Sequence, residues 1–430
     1  MRLFAAEALL PDGFAPDVGV DIAPDGTIVA VEAGADPSGA ERVDGALVPG
    51  MANLHSHAFQ RAMAGRAERR TDGDDDFWSW REAMYGLAET LDPDILFSLA
   101  RDTYRAMLAA GYTAVAEFHY LHRDPRGRWY QDRAAMARAL VEAAREAGIA
   151  ICILPALYAH GDAGGAPLDE RRRRFATGVD DVLEVAAILR DAYAHDAEVV
   201  VGACAHSLRA VTPEELRALL DGSPRDVPVH LHIAEQLREV ARIETLLGAR
   251  PVAWLLAHHD VDARWCLVHA THLDAHEIAG LARSGAVVGL CPTTEANLGD
   301  GLFPLAPYLA QGGAFGIGSD SNVSIAPVEE LRWLEYGQRL VLRKRIVAAL
   351  RDGTSCGEVL YTQAASCGAR ACGRAAGTIA VGQRADLVVL PRDDEPDTLL
   401  DRYVFATDRA APRAVYVGGR RRALREHVLR

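Results

Sequence analysis

Between residues 46 and 375 the apolar positions gather into short unbroken runs. Longer stretches separate them, in which apolar residues recur every three or four positions. Eight runs stand out: ALVPGMANL (46–54), TAVAEF (113–118), ICILPAL (151–157), VVVGACA (199–205), VPVHLHI (227–233), RWCLVHA (264–270), AVVGLCP (286–292) and AFGIGS (314–319). The intervening segments, such as PDILFSLARDTYRAMLAAG (93–111) and RAAMARALVEAAREAG (133–148), have the Ala, Leu, Glu and Arg content of amphipathic helices. Strands apolar on both faces, alternating with helices, predict an α/β protein with a parallel sheet. Eight repeats in one stretch fit a (β/α)8 TIM-like barrel. A doubly wound open sheet would also alternate, but no glycine-rich dinucleotide turn follows any run.

The two flanks have a different rhythm. Residues 1–45 alternate short apolar runs with the turn signals PDG and APDG, and residues 376–430 contain GTIAVGQRADLVVL (377–390) and RAVYVGGRRR (413–422), again short strands punctuated by glycine. This predicts one small composite β-sandwich domain built from both termini, 1–45 and 376–430, around a barrel over 46–375.

In such a barrel the chemistry sits where the strands end. The first run ends in His55 and His57, the second in His119 and Tyr120, the third in Tyr158, the fourth in His206, the fifth in His232 and Glu235, the sixth in His269 and the eighth in Asp320. His55 and His57, at i and i+2 of a strand, share a face. His232 and Asp320 can complete a set of imidazoles and one carboxylate from across the barrel, which suits one divalent ion, Zn²⁺ by its ligand type. A bound ion of this kind lowers the pKa of its water from about 15.7 to about 7. Glu235, three residues past His232, stands where a general base can work without being a ligand. The single lysine, Lys344, lies in LRWLEYGQRLVLRKRI after the eighth run. A carbamylated lysine bridging two metals is therefore not expected, and one metal ion per subunit is the economical reading.

Composition narrows the classes further. The chain is 430 residues long, 50% hydrophobic and 25% charged, which is the profile of a folded globular protein. A formal charge of −14 disfavours nucleic acid and anionic membrane surfaces as partners. No export signal and no membrane span are read from the sequence. The seven cysteines (Cys152, Cys204, Cys266, Cys291, Cys356, Cys367 and Cys372) are odd in number and lack CxxC spacing, as expected for buried thiols in a reducing cytoplasm.

HSH after the first strand, HxxE at the fifth, a histidine at the sixth and SD at the eighth resemble the amidohydrolase superfamily, in particular its mononuclear aminohydrolase branch. The segment GTIAVGQRADLVVL resembles that superfamily's closing strand pair, so the likeness covers almost the whole chain. PGMANLHSHAFQRAMAG, DFWSWREAMY, EFHY, AHSLRAV, HLHIAEQ and CPTTEANLGDGLFP leading to GIGSDSN are similar to the formimidoylglutamate deiminase family. The resemblance implies hydrolysis of N-formimidoyl-L-glutamate to N-formyl-L-glutamate and ammonia in histidine degradation, by a homodimer. It implies His55, His57, His232 and Asp320 as metal ligands and Glu235 as proton shuttle. It further implies Gln60, Arg81, Tyr120, His206, Arg209 and His269 as substrate contacts, with His206 and His269 also orienting or polarising the reacting group. A small-molecule dicarboxylate substrate asks for cationic anchors, and Arg81 and Arg209 can supply planar forks. Two other readings compete: an aminohydrolase of a heterocyclic base or cyclic amidine, with a neutral aromatic pocket, and a metal-free scaffold of the same fold. Closure over the mouth is expected from the segment DGDDDFWSWREAMY (72–85).

Overall fold

The computed structural model describes residues 1–70, 76–392, 398–407 and 411–424. The eight apolar runs form eight parallel barrel strands in sequential order: Met51–Ser56, Tyr112–His119, Ala150–Leu157, Ala203–Ser207, Val229–Ile233, Trp265–His269, Val287–Leu290 and Ala314–Ile317. A short strand, Val199–Val201, leads into the fourth and pairs with the third. Nearly every residue of these strands is buried, as the unbroken apolar runs require when helices cover one face and the barrel interior the other.

Closure between the first and last strands is made just beyond the eighth strand. Asp320 donates its N–H to the carbonyl of His55 at 2.9 Å, and His57 returns an N–H to the carbonyl of Asp320 at 2.9 Å. Gly318 makes this approach possible, because a Cβ there would lie 2.7 Å from the His55 carbonyl oxygen and 2.8 Å from its Cβ. Two ligand candidates and a third from the far end of the barrel are thus locked together by the backbone itself.

The helices follow local signals. Pro93–Ala110 begins at Asp92, whose carboxylate accepts the N–H of Ile95, and stops at Gly111 in the left-handed region. Ala135–Ala147 ends likewise at Gly148. The first apolar run is divided at Gly50. Ala46–Pro49 leaves the barrel and pairs with Leu387–Leu390 in the terminal sheet, and only Met51–Ser56 enters the barrel.

That terminal sheet has eight strands, drawn from both ends of the chain, around its own apolar cluster of Leu3, Val18, Val20, Ile28, Leu387 and Tyr416 among others. Its strands Arg2–Leu10, Gly13–Ile22 and Ile28–Ala33 turn at the PDG and APDG signals. At the second of these Gly26 is essential: its φ is 90°, and a Cβ would meet the Gly418 carbonyl at 2.5 Å. Of GTIAVGQRADLVVL only Leu387–Leu390 becomes strand. The preceding residues loop through Gly377 and Gly382, both at positive φ. Arg374 ties the two cores together, donating to Asp386 (2.8 Å) and Glu198 (2.6 Å) while buried. No helix among the described residues is long and apolar enough to cross a membrane.

Candidate active site

The ends of strands one, five and eight bring His55, His57, His232 and Asp320 into one cluster. His57 uses Nδ1 on the Phe118 carbonyl at 2.8 Å, and His232 uses Nδ1 on the His206 carbonyl at 2.9 Å. A carbonyl only accepts, so both rings carry their proton on Nδ1 and turn the Nε2 lone pair to the cavity. His55 Nε2 lies 3.0 Å from His232 Nε2 and 3.5 Å from Asp320 Oδ1, and His57 Nε2 lies 3.4 Å from the same oxygen. The candidate ligand atoms fall into two triads that share His55, one with His57 and Asp320, the other with His232 and His269.

Burial lowers the pKa of His55 to about 3 and pushes His57 and His232 down as well, so the imidazoles are neutral. Burial alone would raise the Asp320 carboxyl. The hydrogen bond with His55 first, then the electrostatic influence of the surrounding His55, His57 and His269 rings, holds it below its usual range. Neutral imidazole lone pairs gathered around one carboxylate form a donor set that a divalent cation satisfies.

The backbone is bent to aim these groups. Ala234, His269 and Asp320, all at strand ends, sit at φ values of 51°, 69° and 44°, in the left-handed region that costs non-glycine residues of order 1–3 kcal/mol. Hydrogen bonds at the same points hold the bends, including Ala270 N–H to the Ile233 carbonyl and His272 N–H to the Ala234 carbonyl, both 3.0 Å.

Glu235 follows the first of these bends. Its Oε1 is 4.0 Å from His269 Nε2, and its Oε2 is 3.8 Å from an Arg209 nitrogen. Burial raises its pKa, while His269 and Arg209 work against the rise. His269 shifts upward, since Glu235, then Glu295 and Asp320, outweigh the effect of burial. Burial drives His206 well down, helped by Arg209. The buried proton carriers at the strand ends are thus set apart by their neighbours.

A cavity opens over this cluster. Ten of the eleven expected site residues line it, and His55 lies beneath, fully buried. Arg81 and Arg209 both line the cavity, each with a buried Nε lacking a protein partner, and both stand over the Trp78 ring at 4.5 and 5.7 Å. Gln60 donates to the Tyr120 hydroxyl at 2.9 Å and leaves its own Oε1 unpartnered. Phe77, Trp80, Tyr85, Tyr158 and Phe175 make the rest of the wall strongly aromatic.

The expected lid is represented by helix Phe77–Ala88, capped by Asp76, which supplies Phe77, Trp80, Arg81, Met84 and Tyr85 to the cavity; residues 72–75 of that segment lie outside the described residues. His119 does not join the cavity. It packs edge-on against His122 with ring centroids 4.7 Å apart.

Four buried acids were not singled out from the sequence. Glu295 lies 3.2 Å from His269 Nδ1, and Glu239 accepts the N–H of Glu235 at 3.0 Å. Glu117 accepts the N–H of Ala58 at 2.7 Å, and Asp300 accepts from Gln236. Glu295 and Asp300 belong to CPTTEANLGDGLFP, so the motif held the signal although spacing alone gave them no role.

With this geometry in hand, comparison with known proteins is informative. Residues 46–422 match the amidohydrolase family, and residues 1–45 match the N-terminal domain of formimidoylglutamate deiminase HutF. The chain therefore belongs to the amidohydrolase family, a metal-dependent group of hydrolases. Within it, the chain is 50% identical to the formimidoylglutamate deiminase of Pseudomonas aeruginosa, over 97% of this chain and 93% of the relative. It is 30% identical to a 5-methylthioadenosine/S-adenosylhomocysteine deaminase of Halobacterium salinarum, over 91% of this chain and 84% of that one. The crystal structure of an amidohydrolase from Brucella melitensis superposes with a TM-score of 0.93 at 45% identity, covering 98% of this chain and 94% of that one. A zinc-bound adenosine deaminase from Xanthomonas campestris shares the fold at 23% identity, with a TM-score of 0.78, covering 98% and 92%.

Proposed function

We propose that this chain hydrolyses N-formimidoyl-L-glutamate to N-formyl-L-glutamate and ammonia, as a step of histidine degradation. The observation that carries the reading is the pair Arg81 and Arg209, which both line the cavity that holds Glu235 and each keep a buried Nε without a protein partner. A dicarboxylate satisfies both forks; a neutral base satisfies neither. The 50% identity to the P. aeruginosa deiminase supports the same substrate.

His55, His57, His232 and Asp320 would hold one divalent ion, and a nitrogen-rich set with one carboxylate favours Zn²⁺. Such an ion supplies Lewis-acid activation of the attacking water. The residues of the chain do the rest. Glu235 takes a proton from the water as its oxygen bonds to the formimidoyl carbon and delivers it to the terminal nitrogen, and the same carboxylate then carries the proton of the new hydroxyl group to that nitrogen as it departs. The C–N bond to that nitrogen breaks, ammonia leaves and the formyl group stays on the glutamate nitrogen. His269, braced by Glu295, and His206 orient the amidine, while Gln60 and Tyr120 add neutral contacts. The seven free, buried cysteines support a cytoplasmic setting, and the working form is a homodimer.

A second reading, deamination of a heterocyclic base, draws on the aromatic wall and on the 30% identity to the H. salinarum nucleoside deaminase. Steady-state kinetics with N-formimidoyl-L-glutamate, N-formimidoylglycine and amino-substituted heterocycles separates the two. Loss of one carboxylate should cost roughly 10- to 100-fold in kcat/KM, the worth of a charge-assisted hydrogen bond. Preference for a heterocycle would overturn the proposal.

A further inference from the structure

Fourteen large apolar side chains are exposed among the described residues, and eight of them fall between Leu302 and Leu350. That concentration is on and beside the helix Pro327–Leu342, the next helix after Asp320, in the segment that leads to the single lysine. The inner face of this helix is used up by the barrel: Val328, Leu331, Leu334 and Gln338 are buried. Its outer face carries Glu329, Trp333, Tyr336 and Leu340, spaced four, three and four apart, and ends at Arg343. Trp333 is 48% exposed and Leu340 75%, values unusual for such side chains on a helix that is solvated on its outer side.

The patch is built rather than loose. The buried carboxylate of Glu335 accepts the N–H groups of Val347 (2.7 Å) and Ala348 (3.0 Å) and the Nε of Arg339 (2.8 Å). The segment after the helix is thereby folded back against its buried side, with Ile346 and Leu350 left exposed. Tyr336 is stacked on Phe405 with ring centroids 5.7 Å apart.

The order of residues along the stripe indicates what covers it. An acid stands at one end and a base at the other, with apolar side chains between, and Tyr336 is midway between Glu329 and Arg343 in sequence. These ends are about 21 Å apart at roughly 1.5 Å per residue. Turned over on a two-fold axis through Tyr336, the stripe meets its own complement. Glu329 faces the second copy's Arg343 and Lys344, and Trp333 faces the second copy's Leu340. A two-fold interface must be self-complementary in this way, whereas an unrelated partner imposes no such symmetry. We propose that the outer face of the helix Pro327–Leu342 is the surface through which two copies of this chain pair antiparallel. Exposed Val341, next to Leu340, widens the contact toward the roughly 800 Å² per partner that a stable dimer needs. The inference rests on the two-copy part of the functional reading and is independent of its chemistry.

Sedimentation or light scattering at micromolar concentration tests it. The wild-type chain should run at twice the chain mass. Leu340→Glu should give a monomer with an unchanged circular dichroism spectrum. Glu329→Arg and Arg343→Glu should each weaken pairing at least 10-fold, and the double exchange should recover most of the loss, which keeps the test sharp even if Leu340→Glu folds poorly. Tyr336→Cys should crosslink the two copies on oxidation. A wild-type monomer would overturn both the surface and the homodimer. A dimer indifferent to Leu340→Glu and to both charge reversals would overturn the surface alone, and ammonia release bears on neither result.

Discussion

Glu235 is positioned by its neighbours as much as by its strand. Ala234 bends into the left-handed region, Glu239 receives the Glu235 N–H, and Arg209 and His269 flank the carboxylate. Removing its charge while keeping its shape should therefore separate proton transfer from metal binding. Glu235→Gln is expected to retain one metal ion per chain by elemental analysis and to lose about 10²- to 10⁴-fold in kcat, the usual worth of a general base. Near-wild-type turnover in that variant would refute the shuttle role. Arg209→Ala and Arg81→Ala should instead raise KM, each costing about 1.5–3 kcal/mol in kcat/KM. Arg209→Lys should recover only part, because a point charge cannot reproduce a planar fork. An unchanged KM in both alanine variants would remove the dicarboxylate from the account.

At the scale of elements, the barrel depends on two close approaches. Gly318→Ala should push the first and last strands apart at the Asp320–His55 bridge, lowering Tm and weakening metal affinity together. Wild-type metal affinity in a folded Gly318→Ala chain would show that closure is not what aligns the ligands. The fifth strand is also tied outward, since His230 contacts the Ala371 carbonyl on the helix Cys356–Ala371 at 2.7 Å. Burial lowers His230 to about 4, with the Ala371 contact opposing, and lowers His122 to about 4 in the same way against the Ala156 carbonyl. The sign follows from linkage: these folded-state values lie below the unfolded value near 6.5, so the unfolded chain takes up protons first as the pH falls. Their stabilisation is complete above about pH 6.5 and is lost progressively toward pH 4. The urea midpoint should fall across that window, and His230→Gln should flatten the slope; a midpoint constant from pH 7 to 5 would contradict this.

At the scale of the whole molecule, the strand–helix rhythm was legible because a parallel barrel buries both faces of each strand, leaving unbroken apolar runs. The convergence of His55, His57, His232 and Asp320 was legible for the same reason, since strand ends of one barrel share one mouth. Other features depend on contacts distant in sequence. Nothing local tells that Ala46–Pro49 joins the terminal sheet, because its partner Leu387–Leu390 lies over three hundred residues away. The glycines of 377–390 looked like punctuation between strands, yet they shape a loop. His119 was misjudged as part of the mouth because the sequence gives the strand's end but not the side chain's direction, and it packs on His122 instead. Glu295 and Glu239 escaped because their partners, a ring nitrogen and a backbone N–H, are set by the fold.

The reaction is defined by which carbon–nitrogen bond of the formimidoyl group breaks. Incubating the metal-loaded protein with N-formimidoyl-L-glutamate and following ammonia together with product mass tests it most directly. Ammonia and N-formyl-L-glutamate are expected in equal amounts; glutamate and formamide, or no turnover, would refute the deiminase reaction.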